Sequence, residues 1–358
     1  MKLINLGQFF KYKQNLQLNV RLVRNINDLK HKALKVAFFG TDEFSLTPLE
    51  KLVQLRNETN LVEEVTVVSQ FETQKKSTKG IVPVVHRYVR ENELPKIHWE
   101  ELKINPKHHL DHDLAIVASF GEFIPSKVIK CFPKGAINIH PSLLPRWRGA
   151  SPLIHTILAG DTMTGISFIE ISPKKFDIGR ILYQAKFQIP PRCTTENLRD
   201  MLSNKAADLL PEVIGNLPTL MENSIDQDDS KTTHAPKISK TVGYINFHEQ
   251  CCDEIERTYR AVGQRVSIKS LWDGKQVKLE NIVDIKMENE SEITPGTCQY
   301  SKKERMIWIK CKTGWVGLDR FQFDQRKKII SAQSFYNGYV IDKQTGKPGS
   351  TKFETIVE

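Results

Sequence analysis

A fifteen-residue stretch, residues 135–149, constrains this chain more than any other, and it reads GAINIHPSLLPRWRG. Its first five residues predict a short buried strand. Pro141 ends that strand, because proline has no amide hydrogen for a sheet and holds the residue before it in an extended conformation. Side chains two positions apart share one face of a strand, so Asn138 and His140 should point the same way. Ligands bind at the carboxyl ends of strands in open α/β sheets, which predicts a functional site here.

The order Asn-x-His followed by Ser142-Leu143-Leu144-Pro145 resembles the folate-dependent formyltransferase family. The continuation RWRGASP is most similar to the members that formylate methionyl-tRNA, and less similar to the related hydrolase of 10-formyltetrahydrofolate. The resemblance implies that Asn138 and His140 are catalytic, that 10-formyltetrahydrofolate is the co-substrate without a metal, and that residues 142–145 form the folate-side wall. An isolated Asn-x-His would instead suggest a turn cap beside a buried imidazole.

The charge of the chain is unevenly distributed. Residues 1–33 contain seven basic and one acidic residue, residues 34–236 are nearly neutral, and residues 237–358 carry five excess positive charges. No apolar run approaches the roughly 20 residues that span a bilayer, so no membrane association is expected. The six cysteines show no C-x-x-C spacing, which argues against a zinc site or a disulfide framework.

The domain boundaries are predicted from these shifts in composition. Residues 1–33 are basic and amphipathic, as in a mitochondrial transit peptide, which predicts the matrix as location; the alternative is a basic arm that touches RNA. A catalytic domain is expected over 34–217 and an exposed linker over 218–240. A C-terminal domain over 241–346 and a tail over 347–358 complete the prediction.

The first domain should contain strands and helices in alternation. This order implies a doubly wound, mostly parallel sheet, an α/β fold similar to the Rossmann type. The single glycine after the first strand does not make the Gly-x-Gly-x-x-Gly fingerprint, so NAD is not expected. The predicted strands are Leu34–Phe39, Glu64–Ser69, Leu114–Ala118, Gly135–Ile139, Thr164–Ile171 and Ile181–Ile189.

The resemblance adds residues from two loops to the predicted site. The counterparts of Phe120 and Gly121 line the pterin pocket with backbone groups, and a glycine lets the main chain approach a flat ring. Asp177 and Gly179 match the family pattern Asp-x-Gly, which brings a carboxylate over the active site. For an isolated Asp before a glycine, a surface turn is the commoner reading.

Basic residues in two places are candidates for tRNA contact. The lysines Lys75, Lys76 and Lys79 follow the second strand, where the resembling enzymes have a loop that reaches the acceptor end, although an arginine typical of bacterial members is absent. A solvated loop is the alternative. Arg146 and Arg148 could stack on an acceptor base or form surface ion pairs around a packed tryptophan.

The C-terminal domain is predicted to be a small barrel. Its four short strands are bounded by glycines, and the resembling enzymes carry an OB-type barrel there. The predicted strands are Val266–Leu271, Gln276–Ile285, Met306–Cys311 and Trp315–Arg320. Its positive charge would favour phosphate contacts, although such an excess is common on solvated surfaces.

The resemblance implies formyl transfer to the α-amino group of initiator methionyl-tRNA, and a monomer is expected. In this scheme Asn138 donates to the formyl oxygen, and His140 and Asp177 take the proton from the attacking amine. Alternatives are another formyltransferase, a 10-formyltetrahydrofolate hydrolase, and an RNA-binding protein with an inactive core. A metal-dependent hydrolase would need further ligands near His140.

Overall fold

The computed structural model describes residues 32–71, 82–286, 292–324, 326–345, 347–349 and 352–356. The chain divides into two units. The first comprises residues 1–150, 163–188 and 197–235, and the second comprises residues 151–162, 189–196 and 236–358. No helix in the described ranges is long and apolar enough to cross a membrane.

The first unit is an α/β structure built on one seven-stranded sheet. Its strands are β1 (Leu34–Phe39), β2 (Val62–Ser69), β3 (Lys96–His98), β4 (Leu114–Val117), β5 (Ala136–His140), β6 (Met163–Glu170) and β7 (Ile181–Gln188). Its helices are α1 (Glu43–Glu58), α2 (Val84–Glu91), α3 (Trp99–Ile104), α4 (Pro106–His109), α5 (Ser126–Ile129), α7 (Thr195–Gly215, assigned to this unit from residue 197) and α8 (Leu217–Glu222).

The strands of this sheet lie in the order β3-β2-β1-β4-β5-β6-β7. The first five are parallel, whereas β6 and β7 run antiparallel to their neighbours. All four residues of β4 and five of the six in β1 are buried, as expected for parallel strands that are covered on both faces. Because β1, β4 and β5 are parallel, their carboxyl ends meet at one edge, from which the loops after β4 and β5 emerge.

Local sequence explains how the first strand gives way to a helix. Asp42 caps α1, because its Oδ1 accepts hydrogen bonds from the amides of Phe44 and Ser45 at 3.1 and 3.2 Å. Glu43 then places a negative charge in the first turn, which the helix dipole favours. The cap holds the loop after β1 beside the loop after β4, where Thr41 Oγ1 donates to the Ser119 carbonyl at 3.3 Å.

One aromatic cluster fills the core on the face of the sheet beside these loops. Phe39, at the end of β1, makes edge-on contacts with Trp99, Phe120 and Phe132 at centroid distances of 6.1, 5.3 and 6.2 Å. All four side chains are at most 7% exposed. The end of β1 is thus fixed by rings from three other segments.

The second unit contains an antiparallel sheet with a few short helices. Its strands are β8 (Lys269–Trp272), β9 (Lys275–Lys286), β10 (Cys298–Ser301), β11 (Met306–Lys310), β12 (Trp315–Phe323), β13 (Ile330–Ser331) and β14 (Phe353–Glu354). Its helices are α6 (Pro152–Leu158), α9 (Cys252–Val262) and α10 (Ala332–Phe335), followed by a π-turn (Tyr336–Val340). The order is β10-β11-β12-β9-β8-β14, with β13 paired to β12. A bridge between Thr297 and Lys352 joins the two edges, so the sheet closes into a barrel.

The predicted fold class is confirmed. The six strands predicted for the first unit are present within two residues of their expected ends, and a mostly parallel sheet is followed by an antiparallel barrel. The segment 218–240, which was expected to be an exposed linker, is partly helical and partly buried. It begins inside α8, contains 3₁₀ turns at Asp229–Lys231 and Lys240–Gly243, and buries Ser224 and Ala235. Residues 1–31, which hold most of the expected transit peptide, lie outside the described residues.

We predict that Phe39→Ala destabilises the first unit by about 3–5 kcal/mol, because the removed ring leaves a cavity between three aromatic neighbours. The measurement is urea unfolding followed by circular dichroism. Ile104→Ala is the control, since Ile104 is an apolar side chain that is 80% exposed, and its truncation should change the free energy of unfolding by less than about 0.5 kcal/mol. Equal losses in the two variants would contradict this view of the core.

Candidate active site

Two polar side chains leave the same face of β5 at its carboxyl end. Asn138 lies opposite Val117 of β4 and Ile169 of β6, and His140 lies opposite Ser167 of β6. Asn138 is flanked by β4 and β6, and His140 pairs with β6, so neither residue can shift without breaking hydrogen bonds between strands. The strand thus holds the amide and the imidazole in a fixed relation, two residues apart on one face.

The Asp177 carboxylate joins these two side chains. Asn138 Nδ2 donates to Asp177 Oδ1 at 3.2 Å, and His140 Nδ1 lies 3.5 Å from the same oxygen. The second oxygen, Oδ2, accepts from the Gly149 amide at 3.0 Å. The side chains of His140 and Asp177 are only 5% and 10% exposed. The structure therefore brings together the three residues that were predicted to be catalytic, and both carboxylate oxygens have partners.

The hydrogen bonds of His140 determine which ring nitrogen can exchange a proton. Nε2 lies 2.9 Å from the carbonyl oxygen of Trp147. A carbonyl oxygen only accepts hydrogen bonds, so Nε2 carries the hydrogen. In the neutral imidazole Nδ1 is then the unprotonated nitrogen, and it faces Asp177 Oδ1. A proton that arrives at Nδ1 would be stabilised by the carboxylate.

The backbone around Asp177 adopts an uncommon conformation. Asp177 has a φ of +56°, in the left-handed region that few residues other than glycine, asparagine and aspartate adopt. Two residues later, a Cβ atom on Gly179 would overlap the carbonyl group of Glu170. A glycine is required there because the loop passes directly against the end of β6. This geometry is what turns the Asp177 side chain back towards β5.

Gln227 holds this loop from outside. Its Nε2 lies within hydrogen-bond distance of the carbonyl oxygens of Asp177 and Gly179, at 2.9 and 2.8 Å. Its Oε1 accepts from Arg148 Nε at 2.9 Å, and Arg148 also forms an ion pair with Asp229 at 2.8 Å. Gln227 was not predicted as a site residue. The local sequence, a glutamine between two aspartates, contains no motif that would predict contacts with residues about 50 positions away.

The segment around Gln227 pairs with the loop that follows β5. Thr233 Oγ1 accepts from the Trp147 amide at 2.9 Å, and the Thr233 carbonyl accepts from the Arg148 amide at 2.9 Å. The Ala235 amide in turn donates to the Arg148 carbonyl at 2.8 Å. The residues that were expected to form a linker thus support the backbone on which the His140 contact to Trp147 depends.

The residues predicted for the folate-side wall are mostly turned inwards. Ser142 is fully buried and donates to the Arg146 carbonyl at 2.6 Å, and Leu144 packs in a small cluster with two isoleucines. Leu143 and Pro145 are half-buried, and the Leu144–Pro145 peptide bond is cis. The Leu144 backbone is fixed on both sides. Its amide donates to Ser167 Oγ at 3.0 Å, and its carbonyl accepts from Gln184 Nε2 at 2.9 Å.

The loop after β4 contains the other two residues predicted to bind folate. The Phe120 ring is 7% exposed and belongs to the aromatic core, so only its backbone is available to a ligand. Gly121 is exposed with a φ of +77°, and a Cβ atom added to it would meet nothing within 4 Å. The open space beside this glycine would admit a flat ring.

The candidates for tRNA contact fall into two groups. The guanidinium of Arg146 lies 4.2 Å from the centre of the Trp147 ring, and the Arg148 side chain is 10% exposed with protein partners. The Arg148 geometry matches the alternative of an ion pair around a packed tryptophan. Lys75, Lys76 and Lys79 lie outside the described residues. Within the described ranges no group of three or more His, Cys, Asp or Glu side chains could hold a metal ion.

The chain is similar to known proteins over most of its length. Residues 34–214 match the model of the formyl transferase family, and residues 237–340 match the model of the formyl transferase C-terminal domain. A mitochondrial methionyl-tRNA formyltransferase of Homo sapiens is 35% identical over 336 residues, which cover 90% of this chain and 83% of the relative. A methionyl-tRNA formyltransferase of Acetivibrio thermocellus is 28% identical over 301 residues, covering 83% and 94% of the two chains.

A solved structure shares the fold. The N-formyltransferase of Helicobacter canadensis, in complex with folinic acid and dTDP-3-aminofucose, superposes with a TM-score of 0.58 and 18% identity. The match covers 80% of this chain and 98% of that protein.

We predict that Gly179→Ala destabilises the protein by about 1–3 kcal/mol, because the added methyl group forces the loop away from Glu170. Gly338→Ala is the matched control, since a Cβ atom there meets nothing within 4 Å. Urea unfolding of both variants measures the difference. A loss for Gly179→Ala no larger than that of the control would contradict the close approach to β6.

Proposed function

Since the chain belongs to the formyl transferase family, we propose that it transfers a formyl group from 10-formyltetrahydrofolate to the α-amino group of methionyl-tRNA. Initiator tRNA is the acceptor. The observation that carries the proposal is the convergence of Asn138 and His140 on Asp177 at the end of β5. The similarity to methionyl-tRNA formyltransferases over 90% of the chain supports the choice of acceptor.

Asn138 acts as a hydrogen-bond donor to the formyl oxygen. In acyl transfer, negative charge develops on this oxygen as the amine attacks, and a donor that is already oriented stabilises it. The amide of Asn138 has two hydrogens on Nδ2, and one of them is directed to Asp177. The second is left for the substrate. The contact to Asp177 orients the amide with its NH₂ group, and not its oxygen, towards the reacting group.

His140 and Asp177 remove the proton that the attacking amine loses. Nε2 of His140 is held by the Trp147 carbonyl, so Nδ1 is the nitrogen that accepts a proton. Asp177 lies 3.5 Å from Nδ1 and stabilises the imidazolium that results. The bond between N10 of the folate and the formyl carbon then breaks, and N10 takes up the proton, so that tetrahydrofolate leaves and the imidazole is neutral again. No nucleophilic serine or cysteine is needed, because the amine itself attacks.

The described residues fit a folate. Gly121 supports this fit, because its backbone is exposed beside open space. The amide and carbonyl of Leu144 are already bonded to Ser167 and Gln184, so Leu144 can only border the ligand. When bound there, 10-formyltetrahydrofolate supplies the formyl group. Phe120 contributes backbone groups only, because its ring is part of the core.

Several properties of the chain support tRNA as the acceptor and a mitochondrial location for the enzyme. Residues 237–358 carry five excess positive charges and include the antiparallel barrel, a fold that often holds nucleic acid. The mammalian relatives are named as mitochondrial, and residues 1–33 are basic and amphipathic with a single acidic residue, as in a transit peptide. The matrix is the compartment in which we place the monomeric enzyme.

We predict that Asn138→Ala and Asp177→Asn each lower formyl transfer at least about 100-fold, because one removes the donor to the oxygen and the other the charge beside Nδ1. The full chain is assayed with 10-formyltetrahydrofolate and methionyl-tRNA. Asn223→Ala is the control, since this exposed asparagine only bonds the carbonyl of Thr219 within its own helix end. Near-normal turnover by either site variant, with folding intact, would refute the assigned roles.

The same assay separates the proposed function from its alternatives. Transfer to methionyl-tRNA supports the proposal, whereas folate turnover without an acceptor would indicate a hydrolase. Binding of tRNA without transfer would indicate an RNA-binding protein with an inactive core. A sugar amine used in place of methionyl-tRNA would indicate the activity that several solved structures of the same fold carry in their names.

We also predict that Gln227→Ala lowers kcat by about tenfold or more and leaves the KM of both substrates within about twofold. Gln227 touches only backbone and Arg148, so its loss should misplace Asp177 without removing a contact to substrate. Gln54→Ala serves as control, because Gln54 bonds exposed side chains on α1. A rise in KM at constant kcat would show that Gln227 acts in binding and not in positioning.

A further inference from the structure

An uncommon backbone conformation lies next to the carbonyl group that contacts His140. Trp147 has a φ of +63°, in the left-handed region, which bulky side chains rarely adopt. A conformation of this kind persists only where its surroundings hold it in place. The carbonyl oxygen of Trp147 lies 2.9 Å from His140 Nε2. The contacts that hold the Trp147 backbone therefore also determine the hydrogen bond of the imidazole.

The peptide groups before and after Trp147 each have hydrogen-bond partners on both sides. In the group before Trp147, the carbonyl accepts from Ser142 Oγ at 2.6 Å, and the amide donates to Thr233 Oγ1 at 2.9 Å. In the group after Trp147, the carbonyl contacts His140, and the amide donates to the Thr233 carbonyl at 2.9 Å. The C=O and N–H of a trans peptide point in opposite directions, so Thr233 holds each group from the side opposite Ser142 or His140.

Thr233 contacts this loop with both its backbone and its side chain. Its amide donates to the Pro145 carbonyl at 3.3 Å, in addition to the contacts of its carbonyl and hydroxyl oxygens. The backbone contacts do not depend on the type of side chain, so the hydroxyl group is the part of this support that the sequence specifies. The adjacent Thr232 is half-buried like Thr233, but within the described residues its buried Oγ1 has no hydrogen-bond partner. The two threonines therefore differ in whether the hydroxyl group supports the loop.

The direction of the Trp147 carbonyl decides the tautomer of His140. While this carbonyl faces Nε2, that nitrogen carries the hydrogen, and Nδ1 beside Asp177 can accept a proton. A change of the Trp147 φ to a negative value would rotate the two peptide groups relative to each other, and the carbonyl would lose its alignment with Nε2. The neutral imidazole could then carry its hydrogen on Nδ1 and donate it to the Asp177 carboxylate. In that tautomer Nδ1 cannot take the proton of the attacking amine.

We propose that Thr233 is a positioning residue for the reaction, and that its hydroxyl group keeps His140 in the tautomer with the hydrogen on Nε2. The role rests on the proposed function, because it concerns the group that takes the proton of the amine. Thr233 acts through the peptide group before Trp147. Without the hydroxyl oxygen the Trp147 amide has lost this acceptor, and one of the contacts that hold the left-handed φ is gone.

Steady-state kinetics of the full chain with methionyl-tRNA and 10-formyltetrahydrofolate test this role. Thr233→Val replaces the hydroxyl group by a methyl group, and it should lower kcat about tenfold or more while both KM values stay within about twofold. Thr233→Ser keeps the hydroxyl group, so its kcat should lie within about threefold of the wild-type value. Thr232→Val is the matched control, since it makes the same change one residue earlier and should leave kcat within about twofold.

Nuclear magnetic resonance of the full chain measures the tautomer without substrate. The protonated and unprotonated nitrogens of a neutral histidine have different chemical shifts, so isotope-labelled histidine reports which nitrogen carries the hydrogen. The signals of His140 are those that are missing from His140→Gln. The wild type, Thr233→Ser and Thr232→Val should carry the hydrogen on Nε2, whereas Thr233→Val should show a population with the hydrogen on Nδ1. A loss of stability alone would not change the tautomer of the folded protein.

Three results would overturn the role of Thr233 and leave the proposed function intact. One is a folded Thr233→Val variant with the kcat and the His140 tautomer of the wild type. Another is an equal loss of kcat in Thr232→Val, which would indicate a general effect of the segment. The third is a wild-type His140 with its hydrogen on Nδ1. Thr233→Ala, which also removes the hydroxyl group, replaces Thr233→Val if circular dichroism shows that the valine variant is unfolded.

The proposed function fails separately. A wild-type chain that does not formylate methionyl-tRNA refutes the proposed function and with it the catalytic consequence of the Thr233 contact. The resonance spectra need no substrate, so they still decide whether Thr233 sets the tautomer of His140.

Discussion

The Asp177 carboxylate is the interaction on which the candidate site depends. One of its oxygens contacts the amide of Asn138 and faces the ring of His140, and the other accepts from the Gly149 amide. A carboxylate that is 90% covered is costly to bury unless its oxygens have donors, and here each has at least one. The same contacts that satisfy the charge orient the two catalytic candidates. Burial and catalysis therefore impose the same geometry on the three residues.

This geometry requires a backbone that the surrounding chain must hold in place. Asp177 has a left-handed φ, and strained conformations of this kind persist only where neighbours fix them. Gly179 permits the loop to touch β6, and Gln227 bonds the backbone on both sides of Ile178. Arg148, which comes from the loop after β5, orients Gln227 in turn. Three segments distant in sequence thus converge on one turn, and their hydrogen bonds supply the rigidity that orientation of an amide and an imidazole demands.

Sequence patterns predicted the parts of this arrangement that local rules control. Runs of apolar residues located the long strands. Side chains along a strand alternate between its two faces, so the spacing of two residues placed Asn138 and His140 on one face. Short strands such as β3 and β14 were missed because two or three residues carry no periodicity and form only where a distant edge is available. Gln227 was missed for a related reason, since its partners lie in two other loops. Arg148 was considered for tRNA, yet its guanidinium is held by Gln227 and Asp229.

The reacting groups are buried while the residues around them are exposed, and this explains how a small site can act on an acceptor much larger than itself. The reacting groups lie at the end of β5, and the carbonyl of Trp147 fixes the His140 tautomer from the loop that follows. These contacts are internal to the first unit and do not depend on the acceptor. Recognition of a long, charged acceptor must then come from exposed residues around them, which can contact phosphates without disturbing the buried carboxylate. In such a site the affinity for the acceptor varies with the salt concentration. The buried contacts among Asn138, His140 and Asp177 are only weakly affected by salt.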